Sequence, residues 1–370
     1  MKIGIITLPF NTNYGGIVQG YAMQTVLRRL GHQAEVVELL YRRPKWKVPL
    51  SFGKRVLKKL LIDRRTPIFP DREMKAIRQH TNRFIYTEIK PRVISAATRI
   101  RENDYQAYVV GSDQVWRYRF NQGMMRSEVM PYLGFARDWK VGRYAYAASF
   151  GVDVWDYPAE YDNACFELAR LFDAVSVRED TGVDLCREKL GVEAEHLLDP
   201  TMLLSETDYR RLVDKAGVKK SKGDLFCYIL DPTPEKQDVI DRMAKLYDLR
   251  PFQVMPPHKP HEHEYPISER IVPPVEVWLR AFMDAEMVVT DSFHGCAFSI
   301  NFEKPFVAIG NVERGLTRME SILRMFHLES HLLINPDAST AIPEPFIPAY
   351  LPAQIDRERK KAQRFLANIR

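Results

Sequence analysis

Cysteine is scarce in this 370-residue chain: there are four, and Cys165, Cys186, Cys227 and Cys296 include no CxxC pair. That excludes a zinc ribbon or a disulfide framework and fits reduced, mostly buried thiols in a cytoplasmic protein. Long apolar runs are missing too, since no stretch approaches the ~20 apolar residues a membrane-spanning helix needs. The opening Met1-Lys2-Ile3-Gly4-Ile5-Ile6 has too short an apolar core for a signal peptide and reads as a first strand. No GxGxxG fingerprint occurs, and Glu38 is poorly placed to bind a ribose, so a dinucleotide cofactor is not expected. Internal repeats and low-complexity tracts are absent.

The net charge of +6 misleads as a whole-chain figure. Residues 41–65 hold ten Lys/Arg and one acid, Asp63, giving +9; taking +9 from +6 leaves −3 for the rest. Local basicity argues against nucleic acid as a partner. Within the basic segment Trp46, Leu50, Phe52, Val56, Leu57, Leu60, Leu61 and Ile62 interleave with the charges. Such a stretch suits the anionic inner face of a cell membrane, and equally a solvated excursion packed on the domain.

Apolar strands then alternate with helical periods. Strands are expected at Lys2–Leu8, Ala34–Leu39, Tyr105–Val110, Tyr144–Ser149, Ala174–Val177 and His196–Leu198, with helices at 16–30, 72–83, 158–171 and 181–190. A polar stretch, Lys215–Gly223, reads as a boundary, after which the pattern restarts with strands at 225–230, 252–255, 287–290 and 305–309. Helices are expected there at 234–247, 274–284, 294–302 and 317–327, with a last one, Asp356–Ile369, after a Pro-rich crossing. The expectation is α/β: two Rossmann-like domains, 1–215 and 216–335, then a crossing and helix over 336–370 that folds back on the first domain.

Strand ends carry the polar motifs. Thr290-Asp291-Ser292-Phe293-His294-Gly295 follows the apolar Met287-Val288-Val289, and such a turn opens a helix whose N–H groups attract an anion. His294 is the candidate acid or base there, with Ser292 and Gly295 as donor-side residues; packing at the helix start is the bland alternative. Asn13-Tyr14-Gly15-Gly16 joins the first strand to the first helix and is the candidate acceptor side, though a tight turn alone would explain it. Gly111-Ser112-Asp113-Gln114 is a third such turn, with Asp113 a second-choice base and Trp116 a sugar-stacking platform or a core residue. Arg178 ends a strand, where a buried guanidinium demands an anionic partner, either Glu179 or Asp180 or a ligand. Arg314 and Arg318 offer two more guanidiniums at the mouth of the second domain. A loop with His258, His261 and His263 between prolines is a weak metal candidate and a better candidate for an acceptor-binding loop, and no metal site is assigned.

Together these motifs resemble the polysaccharide pyruvyl transferase family, from Ile3 to about His331. The carriers are Asn13-Tyr14-Gly15-Gly16 with Gln19 and Tyr21-Ala22, Gly111 through Trp116, and Tyr146 through Gly151. Further carriers are Ser176-Val177-Arg178-Glu179, Asp199-Pro200-Thr201 and Asp291 through Gly295. The resemblance implies a GT-B-like pair of domains facing a cleft, and pyruvyl transfer from phosphoenolpyruvate to hydroxyls of a glycan or lipid-linked oligosaccharide. It also implies an essential Arg, matched by Arg178, and an essential His, matched by His294. An Arg two residues before that His is replaced here by Ser292, so Arg314 or Arg318 would hold the donor's second charge. Phosphoenolpyruvate would be a substrate, with no cofactor. A nucleotide-sugar glycosyltransferase and a non-catalytic glycan-binding scaffold remain the alternatives on the same architecture.

Overall fold

The structure, a computed structural model, describes residues 1–40, 70–310 and 316–369. The basic segment 41–65 and Arg314 lie outside the described residues.

Two parallel sheets carry the molecule. The first has seven strands: β1 (Lys2–Ile6), β2 (Gln33–Leu39), β3 (Arg92–Ile94), β4 (Ala107–Val110), β5 (Gly142–Ala148), β6 (Ala174–Val177) and β7 (Glu195–His196). Their order is β3-β2-β1-β4-β5-β6-β7, with Ile3 opposite both Ala34 and Ala107. The second has five: β8 (Leu225–Tyr228), β9 (Pro251–Phe252), β10 (Met287–Thr290), β11 (Phe306–Ile309) and β12 (Leu332–Leu333). Their order is β12-β11-β10-β8-β9. Parallel strands need helical crossovers that cover both faces, so the central strands are largely apolar; all four residues of β4, β8, β10 and β11 are buried.

The helix Tyr14–Arg29 follows β1, ends with Arg28 and Arg29 in its last turn, and is stopped by Gly31 at φ +87°, as a left-handed C-terminal stop requires. Ala174–Val177, Pro234–Tyr247 and Met287–Thr290 match the expected elements end for end. The single helix expected over 72–83 is instead two, Pro70–Ile77 and Gln79–Phe84. The helix Glu206–Lys215, begun by a Ser205/Asp208 capping box, already packs toward the second half, where the Tyr209 ring lies 5.1 Å from Phe298. It also reaches the first half, through Asp208 with Arg29 at 2.6 Å and Lys215 with Glu88 at 2.8 Å, so this helix bridges the halves.

One apolar cluster runs from Ile3 and Ile17 of the first half to Trp278 and Phe298 of the second. Tyr14 stacks on Trp278 at 5.4 Å and donates its hydroxyl to the Pro273 carbonyl at 2.9 Å. The C-terminal helix, Leu351–Ala367, begins earlier than expected, with Pro352 in its first turn, where the missing N–H costs nothing. It folds back on the first half: Phe365 meets Tyr146 at 5.8 Å, and Arg359 donates to the Met202 carbonyl at 2.7 Å.

Candidate active site between the two halves

The polar turns at the ends of β4, β6 and β10 meet where the two sheets face each other. After β4, Gly111 takes φ +118°, and a Cβ there would stand 2.2 Å from the Tyr146 carbonyl oxygen, so only glycine fits. Asp113 follows in left-handed conformation, at φ +61°. Gln19 ties this turn to the first one: its carboxamide oxygen accepts from Ser112 N at 3.0 Å, and its nitrogen donates to Thr7 Oγ1 at 2.8 Å and Gly16 O at 3.0 Å.

Arg178 leaves the end of β6 and is 2 % exposed. Its Nη1 donates to Asp199 Oδ2 at 2.7 Å and its Nη2 to Asp113 Oδ1 at 3.2 Å, while the guanidinium lies 4.3 Å from the centre of the Phe293 ring. Neither neighbour in sequence serves it. Glu179 turns to accept from Phe150 N and Gly151 N at 2.6 and 3.0 Å. Asp180 pairs with Arg324 at 2.8 Å.

His294 enters from the other half, in the first turn of the helix Phe293–Asn301. Its Nε2 lies 3.9 Å from Asp199 Oδ2 and has no hydrogen-bond partner among the described residues. The imidazole presses on the first helix of the opposite half: a Cβ on Gly15 would stand 2.0 Å from His294 Nδ1. Arg178 and His294 thus face each other across Asp199, and both are almost closed off from solvent, at 2 % and 5 % exposed.

The electrostatics follow from burial. Desolvation pushes the Asp113 and Asp199 carboxyls up, but Arg178 beside them, with His294, outweighs it and holds both below the usual carboxylate range. Burial pulls His294 below its ordinary value despite the two carboxylates, so the imidazole is neutral at neutral pH in the free protein. Arg318, buried at the start of the helix Thr317–Phe326, is brought down to about 10 by burial and by Arg178, and so stays charged.

The model of the family described as polysaccharide pyruvyl transferase matches residues 13–313. The chain belongs to that family. The match spans every turn just described, from Asn13 at the first helix to His294, and this member carries Ser292 where an Arg was expected. Ser292 is 6 % exposed, with its N–H given to Thr290 Oγ1 at 3.1 Å; Arg318 is buried near enough to Asp113 and Arg178 for their charges to bear on it. No curated protein matches the chain. Among solved structures the chain is similar to UDP-GlcNAc 2-epimerase from Neisseria meningitidis bound to UDP-GlcNAc, at 11 % identity and TM-score 0.47, covering 100 % of this chain and 95 % of that one. Acinetobacter baumannii MurG gives 10 %, 0.44, 100 % and 99 %. E. coli ADP-heptose LPS heptosyltransferase II gives 13 %, 0.35, 98 % and 98 %.

Other expected site residues sit differently. Trp116 is wholly buried, stacked on Tyr132 at 5.3 Å and bonded to the Pro131 carbonyl, so it offers no face to a sugar. Tyr14 and Gly15 are buried between the halves, while Asn13 and Gly16 keep some exposure. Gly295 is demanded by packing, since a Cβ would meet Thr290 Oγ1 at 2.0 Å. Arg270 fills the histidine-rich loop and pairs with Glu73, which His263 also approaches at 3.3 Å. Among the described residues no group of three or more His, Cys, Asp or Glu could hold a metal. Asp199, the hub of the site, had one sequence signal: an Asp-Pro corner directly after a short strand.

Proposed function

We propose that this family member transfers the pyruvyl group of phosphoenolpyruvate to two hydroxyls of a cell-surface glycan or its lipid-linked precursor, leaving a cyclic ketal. The observation that supports it is the convergence of Arg178, Asp113, Asp199, Arg318 and an unpartnered His294 nitrogen at the junction of the halves. Phosphoenolpyruvate brings a carboxylate and a phosphate; Arg318 and the guanidinium of Arg178 are the cations to meet them.

The reaction balances without an oxidant. A proton adds to the methylene carbon and makes it a methyl, leaving positive charge at C2. The first sugar hydroxyl attacks C2 and gives up its proton. The C2–O bond to phosphate then breaks, the second hydroxyl closes the ring, and its proton leaves with the phosphate. His294, neutral when the site is empty, becomes an acid once the anionic donor raises its affinity for a proton; Asp113, held ionised, is the second base. In this reading the halves part to admit substrate and close to exclude water, which the low exposure of Arg178 and His294 supports.

The chain would work at the cytoplasmic side of the membrane, with residues 41–65 resting on anionic lipid. No helix among the described residues is long and apolar enough to cross a membrane. The test is free phosphate released from phosphoenolpyruvate across a panel of lipid-linked and model glycosides. Phosphate release that requires the glycoside supports the reading. Thermal stabilisation by a nucleotide-sugar, with none by phosphoenolpyruvate, overturns it.

A further inference from the structure

Ketal formation needs a bound acceptor, and half of the loop expected to hold it is already occupied, with Tyr14 on Trp278 and Gly15 under His294. A second space opens beside the reacting turn. At the carboxyl ends of β8 and β9, where parallel sheets place their ligands, lies a cavity of about 510 Å³, inside the roughly 300–1,000 Å³ typical of small-molecule sites. Resting on the function proposed above, we infer that this cavity binds the uncharged sugar of the acceptor glycan.

Three observations carry it. The cavity is joined to the reacting turn through Asp291, three residues before His294. The Asp291 carboxylate accepts from Leu230 N at 2.7 Å, Asp231 N at 3.1 Å and Lys236 Nζ at 2.7 Å, and Leu230 and Lys236 line the cavity. A ligand seated there therefore bears on the segment that positions the imidazole.

The cations around the cavity are already paired. Lys236 is held by Asp291, Lys259 Nζ lies 3.1 Å from Asp231, and His258 stands between Glu262 and Glu269 at 3.5 and 3.4 Å. Four carboxylates against two lysines leave no positive surplus for a phosphate, which sets this site apart from the Arg178–Arg318 cluster and favours an uncharged ligand.

The remaining lining suits a carbohydrate. Phe252, Pro256, Pro257 and Pro260 present flat apolar surface for the C–H face of a pyranose, while Thr233 and the exposed Gln253 bring a hydroxyl and an amide to its rim. The prolines hold that wall in one conformation, which lowers the ordering cost of binding.

The experiment measures steady-state phosphate release with the panel glycoside that the native protein turns over fastest. Gln237→Trp fills the cavity from an exposed helix position, and Gln253→Ala removes an exposed amide without touching the core. The expected result is an acceptor KM raised about tenfold in both, with the KM for phosphoenolpyruvate unchanged and circular dichroism native. An unchanged acceptor KM in folded Gln253→Ala and Gln237→Trp overturns the inference and leaves the proposed reaction standing. If Gln237→Trp does not fold, Gln253→Ala alone decides. Absence of phosphate release with every glycoside overturns both.

Discussion

The His294 imidazole lies so close to Gly15 that a single methyl group on that glycine would stand 2.0 Å from Nδ1. The two residues belong to opposite halves, each in the first turn of a helix that follows a buried parallel strand. The contact makes the position of the imidazole a property of the domain interface. Whatever moves one half against the other moves the imidazole.

Gly15→Ala should therefore uncouple folding from turnover. The added Cβ overpacks the interface, costing about 1–3 kcal/mol, and displaces the imidazole. A displacement of that order lowers turnover about 10²-fold. Phosphate release measured beside a thermal melt checks it; full turnover in the variant would show that the imidazole's position is not critical.

Asp199 should be the most costly residue of the site to remove. Asp199→Ala leaves the buried Arg178 guanidinium with Asp113 alone, a loss of about 3–5 kcal/mol readable by urea denaturation. The pH dependence has a definite sign. Both carboxyls titrate below their unfolded values, so their contribution is complete above the unfolded carboxylate pKa of about 3.9. It is lost as pH falls through the lowered folded values, because the unfolded state then binds more protons. Asp199→Ala should flatten the acid limb of stability.

His294 should take up a proton when the donor binds. Burial keeps it below its ordinary value in the free protein; an anionic ligand alongside shifts it upward. Calorimetric titration with phosphoenolpyruvate near pH 6.5, in buffers of different ionisation enthalpy, reads the uptake. Subtracting His294→Gln removes the protons that the ligand's own phosphate exchanges. Equal proton uptake in the two proteins would show that the imidazole does not titrate with binding.

The basic segment makes a separate prediction from sequence. Neutralising Lys54, Arg55, Lys58 and Lys59 together should weaken binding to phosphatidylserine vesicles by about 1 kcal/mol per charge at low salt, measured by co-sedimentation. Unchanged binding would leave only the solvated excursion.

Periodicity alone placed nearly all the long elements, because a run such as Val175-Ser176-Val177 or Met287-Val288-Val289 has few ways to hide its apolar atoms. The helices Tyr118–Met125 and Glu206–Lys215 escaped it, and so did shorter pieces. β3, Arg92–Ile94, is three residues set among charges, and the break at Arg78 between two helices carries no glycine or proline to announce it. Trp116 was ambiguous for a different reason: whether an indole stacks on a sugar or on Tyr132 depends on what the fold brings to its face.

By itself, the order of residues determined the two parallel sheets, the polar turns at their strand ends and the family they belong to, since each rests on neighbours in the chain. Only the tertiary structure decided which carboxylates neutralise Arg178. Glu179 and Asp180 were nearest along the chain, yet the guanidinium chose Asp199 and Asp113, 21 and 65 residues away. Strand order put those two residues beside it, and a buried cation takes the partners that burial leaves within reach. The same logic set His294 on Gly15: helix starts from two separate sheets meet only when a shared apolar core draws the halves together.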